Sequence, residues 1–291
     1  MYNPSEQSRA EQSRAEQSRA EQSRARIIVI VVCMMILVLC SGVLMYCHPN
    51  GINRVLVIAH RMQENIVDVV GVYHGRGYIS TGDSTINCIG DSLTEGYKND
   101  GISWADRLAA LTQANAVNKY GIGGSTVSAY VDKNPMCVRF ADMDDDADYI
   151  VIFAGNNDFT QSVPMGEENS QDINTFYGAL NVMLSGLRDK YPHGKFLYVT
   201  PLRMWQYHHP KWNEEVEYTS KNEQGCTLLD YRNAIINRCE YYSIPYLDLY
   251  RQGLYGRTEK TREAVYVDGL HPNDEGHRII ASQIAEALKR M

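Results

Sequence analysis

The sequence has no excess of basic residues and lacks the overall hydropathy of a multi-span membrane protein. Its 291 residues include 28 Lys and Arg against 35 Asp and Glu, a formal charge of −7. A nucleic-acid-binding surface needs cations to meet the phosphates, and the mean hydropathy of −0.36 is too low for many membrane spans. With 44% hydrophobic residues, the chain is nevertheless too apolar to be wholly disordered. We expect a globular protein of one large or two small domains, with no nucleic-acid partner.

The motifs of nucleotide and metal sites are also missing. In the glycine-rich stretch 121–126, Thr126 stands where the last glycine of a dinucleotide-binding fingerprint would be, and no Gly-Lys-Ser/Thr follows. His271, near the C-terminus, has no Cys or second His at ligand spacing around it. We therefore expect neither a cofactor nor a metal site.

The N-terminal residues form a charged repeat. Residues 6–25 are four copies of Glu-Gln-Ser-Arg-Ala, and with Arg26 they carry a net charge of +1. A five-residue period advances about 140° per repeat around an α-helix, so no apolar stripe forms. We interpret residues 1–26 as a solvated, low-complexity cytoplasmic tail. A docking site for a cytoplasmic partner is the alternative.

Residues 27–47 are an uncharged run of 21 residues. As a helix the run would be about 30 Å long, which is the thickness of the hydrocarbon core of a bilayer. It is longer than the roughly 7–15 apolar residues of a secretory signal peptide, and no small-residue cleavage site follows it. Five Arg precede it, against Arg54 and Arg61 after it, so the N-terminus should be cytoplasmic. We predict a single-pass anchor in the cell membrane, with residues 48–291 outside.

Residues 48–83 connect this anchor to the next region. After the Pro49-Asn50-Gly51 break, apolar residues recur at three- and four-residue steps from Ile52 to Val70, which is typical of an amphipathic helix. We interpret this segment as a juxtamembrane stalk whose helix packs on the domain. A position on the membrane surface is the alternative.

From residue 84 onward, short apolar runs alternate with longer helical patterns. The runs predicted as strands are 85–90, 116–119, 149–154, 195–200 and 244–249, and the helical patterns lie near 102–114, 171–190, 226–242 and 274–290. This alternation indicates an α/β fold in which helices cover both faces of a parallel sheet. Ligands of such sheets bind beyond the carboxyl ends of the strands, so the residues after each strand are the place to look for a site.

The segment Ile-Gly-Asp-Ser-Leu-Thr-Glu-Gly (89–96) directly follows the first predicted strand. A serine on a tight strand-to-helix turn exposes its hydroxyl and can present its own N–H to an oxyanion, which makes Ser92 a candidate nucleophile. The Gly-x-Ser-x-Gly elbow is absent, because Thr94 occupies the last glycine position. A plain turn capped by Asp91 is the alternative.

Two further clusters contain possible oxyanion donors. Glycines in residues 121–126 permit positive φ and close backbone approach, so an N–H there is a candidate. Asn157, in the Gly-Asn-Asn-Asp segment 155–158 after the third strand, carries an uncharged amide at a strand tip. An Asx-turn is the alternative for Asn157.

The segment Asp-Gly-Leu-His-Pro (268–272) precedes the last helical pattern. Asp268, three residues before His271, can hold the Nδ1–H of the imidazole and leave Nε2 free as a general base. Of eight histidines, only His271 has a carboxylate at this spacing in a loop that opens a helix.

Together these blocks resemble those of the SGNH, or GDSL, hydrolase family, in order and in spacing, over about residues 84–291. The matching residues are Ser92 in the nucleophile block, Gly124 in the glycine block, Asn157 in the Gly-x-Asn-Asp block, and Asp268 and His271 in the Asp-x-x-His block. Lys119 departs from the pattern, because this position usually holds asparagine. The departure puts the local loop conformation in doubt but removes no catalytic group.

The resemblance implies a three-layer α/β/α, flavodoxin-like fold and metal-free ester hydrolysis. Ser92 would be the nucleophile, His271 the general base and Asp268 the residue that orients it. The N–H groups of Ser92 and Gly124 and the side-chain amide of Asn157 would form the oxyanion hole. Asp91 and Asp158 are expected to support these residues.

An aromatic loop follows the fourth predicted strand. Trp205, Tyr207 and Trp212 could stack on sugar rings or line an acyl pocket. Packing of the loop onto the domain is the alternative.

Three hypotheses for function follow. The leading one is a membrane-tethered, extracellular serine esterase that removes small acyl groups, such as acetyl groups, from glycans. A lysophospholipase at the membrane surface is the second, favoured by the tether and the amphipathic segment. The third, of another class, is a glycan-binding module without turnover, which the complete set of candidate residues disfavours.

Overall fold

The computed structural model describes residues 84–131, 134–205 and 220–291. The predicted tail, anchor and stalk (1–83) lie outside these residues, as do Tyr207 and Trp212. Within the described part of the chain, no helix combines the length and the apolar character needed to cross a bilayer.

The centre of the domain is a five-stranded parallel sheet. Its strands are β1 Thr85–Gly90, β2 Ala116–Gly121, β3 Tyr149–Phe153, β4 Lys195–Val199 and β5 Tyr246–Leu247. They lie in the order β2-β1-β3-β4-β5, and every neighbouring pair is parallel. This is the strand order of flavodoxin-like doubly wound sheets, so the predicted parallel α/β architecture is confirmed.

The last strand is shorter than the predicted 244–249. Its start is delayed because Ser243 has a φ of +53° and the Ile244 N–H donates to Cys239 O at the end of the preceding helix. It ends early because Asp248 already precedes a helix. Only two residues therefore pair with β4, at the edge of the sheet.

Helices of very different length follow the strands. In the described residues they are α1 Ser92–Glu95, α2 Leu108–Thr112 (after a 3-10 turn, Ala105–Arg107), α3 Met136–Arg139 (before a 3-10 turn, Phe140–Asp142), α4 Asn156–Thr160, α5 Phe176–Lys190, α6 Leu228–Tyr241, α7 Leu249–Gln252, α8 Glu259–Val265 and α9 Asp274–Lys289. The four predicted helical patterns correspond to α2 with its 3-10 turn, α5, α6 and α9.

Two hydrophobic cores cover the two faces of the sheet. Successive side chains of a strand point to opposite faces, and in β3 Ile150 and Ile152 belong to the core that includes α5 and α6. Val151 and Phe153 belong to the other core, with residues of α2 and α9. Each fully buried large apolar side chain contributes roughly 1.5–3 kcal/mol. The result is three layers, with helices on both sides of the sheet.

Candidate active site

Ser92 is the first residue of α1 and directly follows the turn at the carboxyl end of β1. The Asp91 carboxylate caps the helix by accepting the Leu93 N–H at 2.9 Å. Gly90 permits the turn, because a Cβ there would lie 2.1 Å from Thr94 Oγ1 and 2.6 Å from Phe153 O. Ser92 is thereby held at the strand tip, with 8% of its surface exposed.

Asp268 and His271 lie on a loop that hydrogen bonds hold in place on both sides. Gly269 has a φ of +88°, and its carbonyl accepts the Trp205 N–H at 2.7 Å. On the other side, Asn273 caps α9 by accepting the Gly276 N–H at 3.0 Å. The sequence therefore turns Asp268 and His271 toward the edge of the sheet at which Ser92 lies.

The three side chains form a continuous hydrogen-bonded chain. Ser92 Oγ lies 3.2 Å from His271 Nε2, and His271 Nδ1 lies 2.8 Å from Asp268 Oδ2. Partial burial raises the pKa of Asp268, but hydrogen bonds from His271, Lys98 and backbone N–H groups outweigh it and hold the pKa well below its usual range. Because an ionised carboxylate only accepts, Nδ1 carries the proton and Nε2 accepts from the serine hydroxyl.

The glycine loop after β2 lies beside the serine. A Cβ added to Gly123 would be 4.0 Å from Ser92 Cβ. Gly124, at φ +75°, is exposed, and its carbonyl accepts from Gln161 Nε2 at 2.8 Å. Gly123 therefore brings the backbone of this loop close to Ser92, the arrangement expected if an N–H of the loop is to serve as an oxyanion donor.

Asn157 is connected to the same loop. Its Nδ2 donates one hydrogen bond to Ser125 O at 3.0 Å, which orients the amide. An amide nitrogen carries two hydrogens, so a second N–H remains for another acceptor.

Asp158 is a buried anchor of this loop. Its carboxylate accepts the N–H groups of Val127, at 3.0 and 3.1 Å, and of Ser128, at 3.1 Å. Burial raises the pKa of Asp158 to about 7, against the lowering effect of these N–H groups, and the charge of Asp91 raises it further. Burial likewise raises the pKa of Asp91 to about 6. Asp91 thus caps the helix that begins with Ser92, and Asp158 holds the loop after β2.

Three residues near the site have no counterpart among the sequence predictions. The buried guanidinium of Arg139 donates to Gly90 O at 2.7 Å and to Tyr120 O at 2.8 Å, and so holds the carboxyl ends of β1 and β2. The Tyr97 ring lies edge-on to His271, with centroids 4.9 Å apart. Lys98 Nζ donates to Asp268 Oδ2 at 2.8 Å. Gly96 and Gly101 indicate a turn around Tyr97 and Lys98, but not that it returns to a loop 170 residues further on.

Trp205 belongs to the core rather than to an open surface. It is 3% exposed and packs with a ring centroid 6.2 Å from that of Tyr255. This burial favours the packing alternative for Trp205 over contact with a substrate.

The described residues contain no group of three or more His, Cys, Asp or Glu side chains that could hold a metal ion.

Comparisons with known proteins identify the class. The model of the GDSL-like lipase/acylhydrolase family matches residues 88–279. The chain therefore belongs to this family, as the sequence blocks predict, and is a serine ester hydrolase. The comparison with curated proteins found no match.

Solved structures share the fold of this chain. One is 33% identical, with a TM-score of 0.64, and the match covers 72% of this chain and 97% of the other. A protein from Lactobacillus plantarum is 31% identical, with a TM-score of 0.62 and coverage of 71% and 97%. A structure described as "a possible lipase", from Chitinophaga pinensis, shares the fold at 22% identity, with a TM-score of 0.55 and coverage of 72% and 98%.

Proposed function

We propose that the protein is a membrane-tethered, extracellular esterase that removes small acyl groups, such as acetyl groups, from glycans, with Ser92 as the nucleophile. The observation that carries this proposal is the hydrogen-bonded chain from Ser92 Oγ through His271 to an ionised Asp268. It has the connectivity of a Ser-His-Asp triad, in which each group prepares the next for proton transfer.

In the first half-reaction, Ser92 Oγ attacks the ester carbonyl while His271 Nε2 takes the hydroxyl proton. Asp268 stabilises the imidazolium that forms. The carbonyl oxygen becomes an oxyanion, which accepts from the N–H groups of Ser92 and Gly124 and from the amide of Asn157. His271 then gives its proton to the leaving alcohol, and Ser92 is left acylated.

In the second half-reaction, water replaces the alcohol. His271 takes a proton from the water, whose oxygen attacks the acyl carbonyl. The second tetrahedral intermediate occupies the same oxyanion hole and collapses to a carboxylic acid, while His271 returns the proton to Ser92 Oγ. No group other than protein side chains and water is needed for the proton transfers.

Tyr97 supports a substrate whose leaving alcohol carries several hydroxyl groups. Because His271 protonates the leaving alcohol, that part of the substrate lies near the imidazole. The Tyr97 ring contacts the imidazole edge-on, yet half of its surface remains exposed. An exposed aromatic ring with a hydroxyl is suited to pack against a sugar ring and bind its hydroxyl groups.

The test of the nucleophile is covalent labelling. Ser92→Ala should abolish labelling of the full-length chain by a fluorophosphonate probe, whereas Ser282→Ala, a change on α9 where the hydroxyl bonds to Arg278 O of the same helix, should leave labelling intact. Labelling that persists in Ser92→Ala would refute the assignment.

The alternative substrate is a lysophospholipid, and it is supported by Ile122. This residue is 40% exposed and directly precedes Gly123, beside the nucleophile, where an acyl chain could pass. Hydrolysis of p-nitrophenyl esters of increasing chain length, with acetylated xylan and a lysophospholipid alongside, separates the candidates. Activity that rises toward long chains would contradict the small-acyl proposal. Binding of the glycan without any turnover would favour the binding-module hypothesis.

A further inference from the structure

Lys98 shares a carboxylate oxygen with the catalytic histidine. Its Nζ lies 2.8 Å from Asp268 Oδ2, and His271 Nδ1 lies 2.8 Å from the same atom. The other oxygen, Oδ1, accepts the N–H groups of Leu270 at 3.0 Å and His271 at 2.8 Å. Four donors thus bind the Asp268 carboxylate. Three belong to the loop that contains Asp268, and Lys98 comes from another part of the chain.

The loop after α1 places Lys98 at this position. Gly96 has a φ of +91° and accepts the N–H groups of Asn99 and Gly101, at 3.0 and 3.1 Å. Lys98 itself has a φ of +61°, a left-handed conformation that is unfavourable for a non-glycine residue. The segment that begins with the nucleophile therefore folds back and reaches the acid–base loop within six residues.

The position of Lys98 has an electrostatic consequence. Asp268 favours the imidazolium form of His271, because its negative charge lies against Nδ1. The Lys98 ammonium neutralises part of this charge from 2.8 Å away, at the same oxygen that binds Nδ1. It holds the carboxylate in place and, at the same time, makes protonation of the imidazole less favourable.

We propose that Lys98 is a positioning residue that holds Asp268 against His271 and, through its charge, extends the general-base form of His271 to lower pH. This inference rests on the proposed role of Ser92, His271 and Asp268.

Other charged and titratable groups also face the imidazole. Asp91 acts on it from the nucleophile turn, the Tyr97 ring contacts its edge, and Asp268 binds Nδ1. Asp91 and Asp268 favour the protonated ring, whereas Lys98 opposes it. The effect of Lys98 can be separated from those of Asp91 and Asp268, because only Lys98 is changed in the experiment.

The experiment measures how the rate of Ser92 labelling by a fluorophosphonate depends on pH between 4.5 and 9, in the full-length chain. Lys98→Met removes both charge and donor, Lys98→Gln keeps a donor without charge, and Lys98→Arg keeps both. Because the Lys98 side chain is 40% exposed, solvent weakens its effect. In the plot of labelling rate against pH, the rate falls on the acid side (the acid limb) and is constant at higher pH (the plateau). For Lys98→Met we expect the acid limb to move up by about 0.5–1 pH unit and the plateau rate to fall about 3–10-fold.

The conservative variants divide the two effects. Lys98→Gln should shift the acid limb as Lys98→Met does, while keeping more of the plateau rate, and Lys98→Arg should keep the wild-type limb. Lys119→Met is the matched control, because Lys119 also braces this loop, through Gly101 O at 2.7 Å, without touching Asp268. Its acid limb should not move.

Two results would overturn the inference. One is an acid limb in Lys98→Met and Lys98→Gln that coincides with that of the wild type, which would mean that Lys98 has no electrostatic role. The other is an equal shift in Lys119→Met, which would assign the effect to the loop. If wild-type Ser92 is not labelled at any pH, the proposed function itself fails, and this outcome is distinct from the other two.

Discussion

Three carboxyl groups near Ser92 have different partners, and the partners set their charge. Asp268 is bound by a lysine, a histidine and two N–H groups, and its pKa lies well below the usual range. Asp91 and Asp158 are buried and have backbone N–H groups as partners, and burial raises their pKa to about 6 and about 7. The residue that must stay ionised for catalysis is therefore the one that is bound by a cation.

Asn157 is the proposed oxyanion donor that acts through a side chain, so a single substitution can remove its contribution. Losing one such donor typically costs roughly 10²–10³ in kcat. Asn157→Ala should therefore lower kcat on an acetyl ester by about this factor, with little change in KM, because the bond strengthens only as the oxyanion forms. Steady-state kinetics on p-nitrophenyl acetate measure both constants. A change confined to KM would contradict the assignment.

His277 should make stability depend on pH. This residue of α9 is fully buried, and burial, with the charge of Arg107, lowers its pKa from 6.5 to about 4. Between these values the unfolded chain binds a proton that the folded protein does not. The contribution of the neutral His277 to the stability of the fold is therefore fully present above pH 6.5 and is lost as the pH falls toward 4. We expect the wild type to lose about 2–3 kcal/mol relative to His277→Leu between pH 7.5 and 4.5.

Urea unfolding of both proteins across this range measures the difference. Asp91 and Asp158, whose raised pKa values make stability fall as the pH rises, are present in both proteins and cancel in the comparison. Parallel stability curves for wild type and His277→Leu would contradict a buried neutral histidine.

Secondary-structure elements differ in how well the sequence predicts them. The strands β1–β4 and the helices α5, α6 and α9 lie close to their predicted bounds, because each is long enough to show a hydrophobic period. The helices α1, α3, α4 and α7 have only four or five residues, too few for such a period. They depend on tertiary contacts, which no local pattern encodes.

The same distinction applies to the site. Ser92, Gly124 and Asn157 lie in short motifs after strands, and Asp268 and His271 lie in a short motif before the last helix, so sequence alone can single them out. Arg139 and Lys98 act through partners 49 and 170 residues away. A lone arginine or lysine has no local feature that marks such a contact, so these residues emerge only from the fold.

The close packing of α1 on β2 can be tested at Gly121. A Cβ there would lie 2.2 Å from Glu95 N and 2.6 Å from Thr94 C, both backbone atoms that cannot move independently. Gly121→Ala should therefore destabilise the domain by about 2–4 kcal/mol and lower kcat/KM by displacing the nucleophile turn. Urea unfolding and ester hydrolysis measure the two effects.

Gly225→Ala is the matched control for this element. Gly225 has a φ of +74°, but a Cβ there would meet nothing within 4 Å. Its substitution should cost only the roughly 1 kcal/mol of a left-handed residue and leave kcat/KM unchanged. Equal losses in the two variants would show that contact with α1 is not the cause.

The proposed location concerns the whole molecule. The 21 uncharged residues 27–47 and the arginines before them support a single-pass anchor with the domain outside. The full-length chain should remain in membranes after alkaline carbonate washing, and protease added to intact cells should cleave it. Leu37→Arg with Leu39→Arg should release it, because each arginine at the centre of a span costs about 2.5–3.5 kcal/mol. Release of the unmodified chain by carbonate would contradict the anchor.

The large sequence distance between Ser92 and His271 bears on how the protein is made. The two residues are 179 positions apart, so at roughly 5–20 residues per second a ribosome needs about 10–40 s to pass from one to the other. Throughout that interval the nascent chain carries a serine without its base, which cannot be acylated by cellular esters at an enzymatic rate. Hydrolytic activity therefore begins only after His271 has been synthesised, and it reports that the turn after β1 and the loop 268–272 have come together.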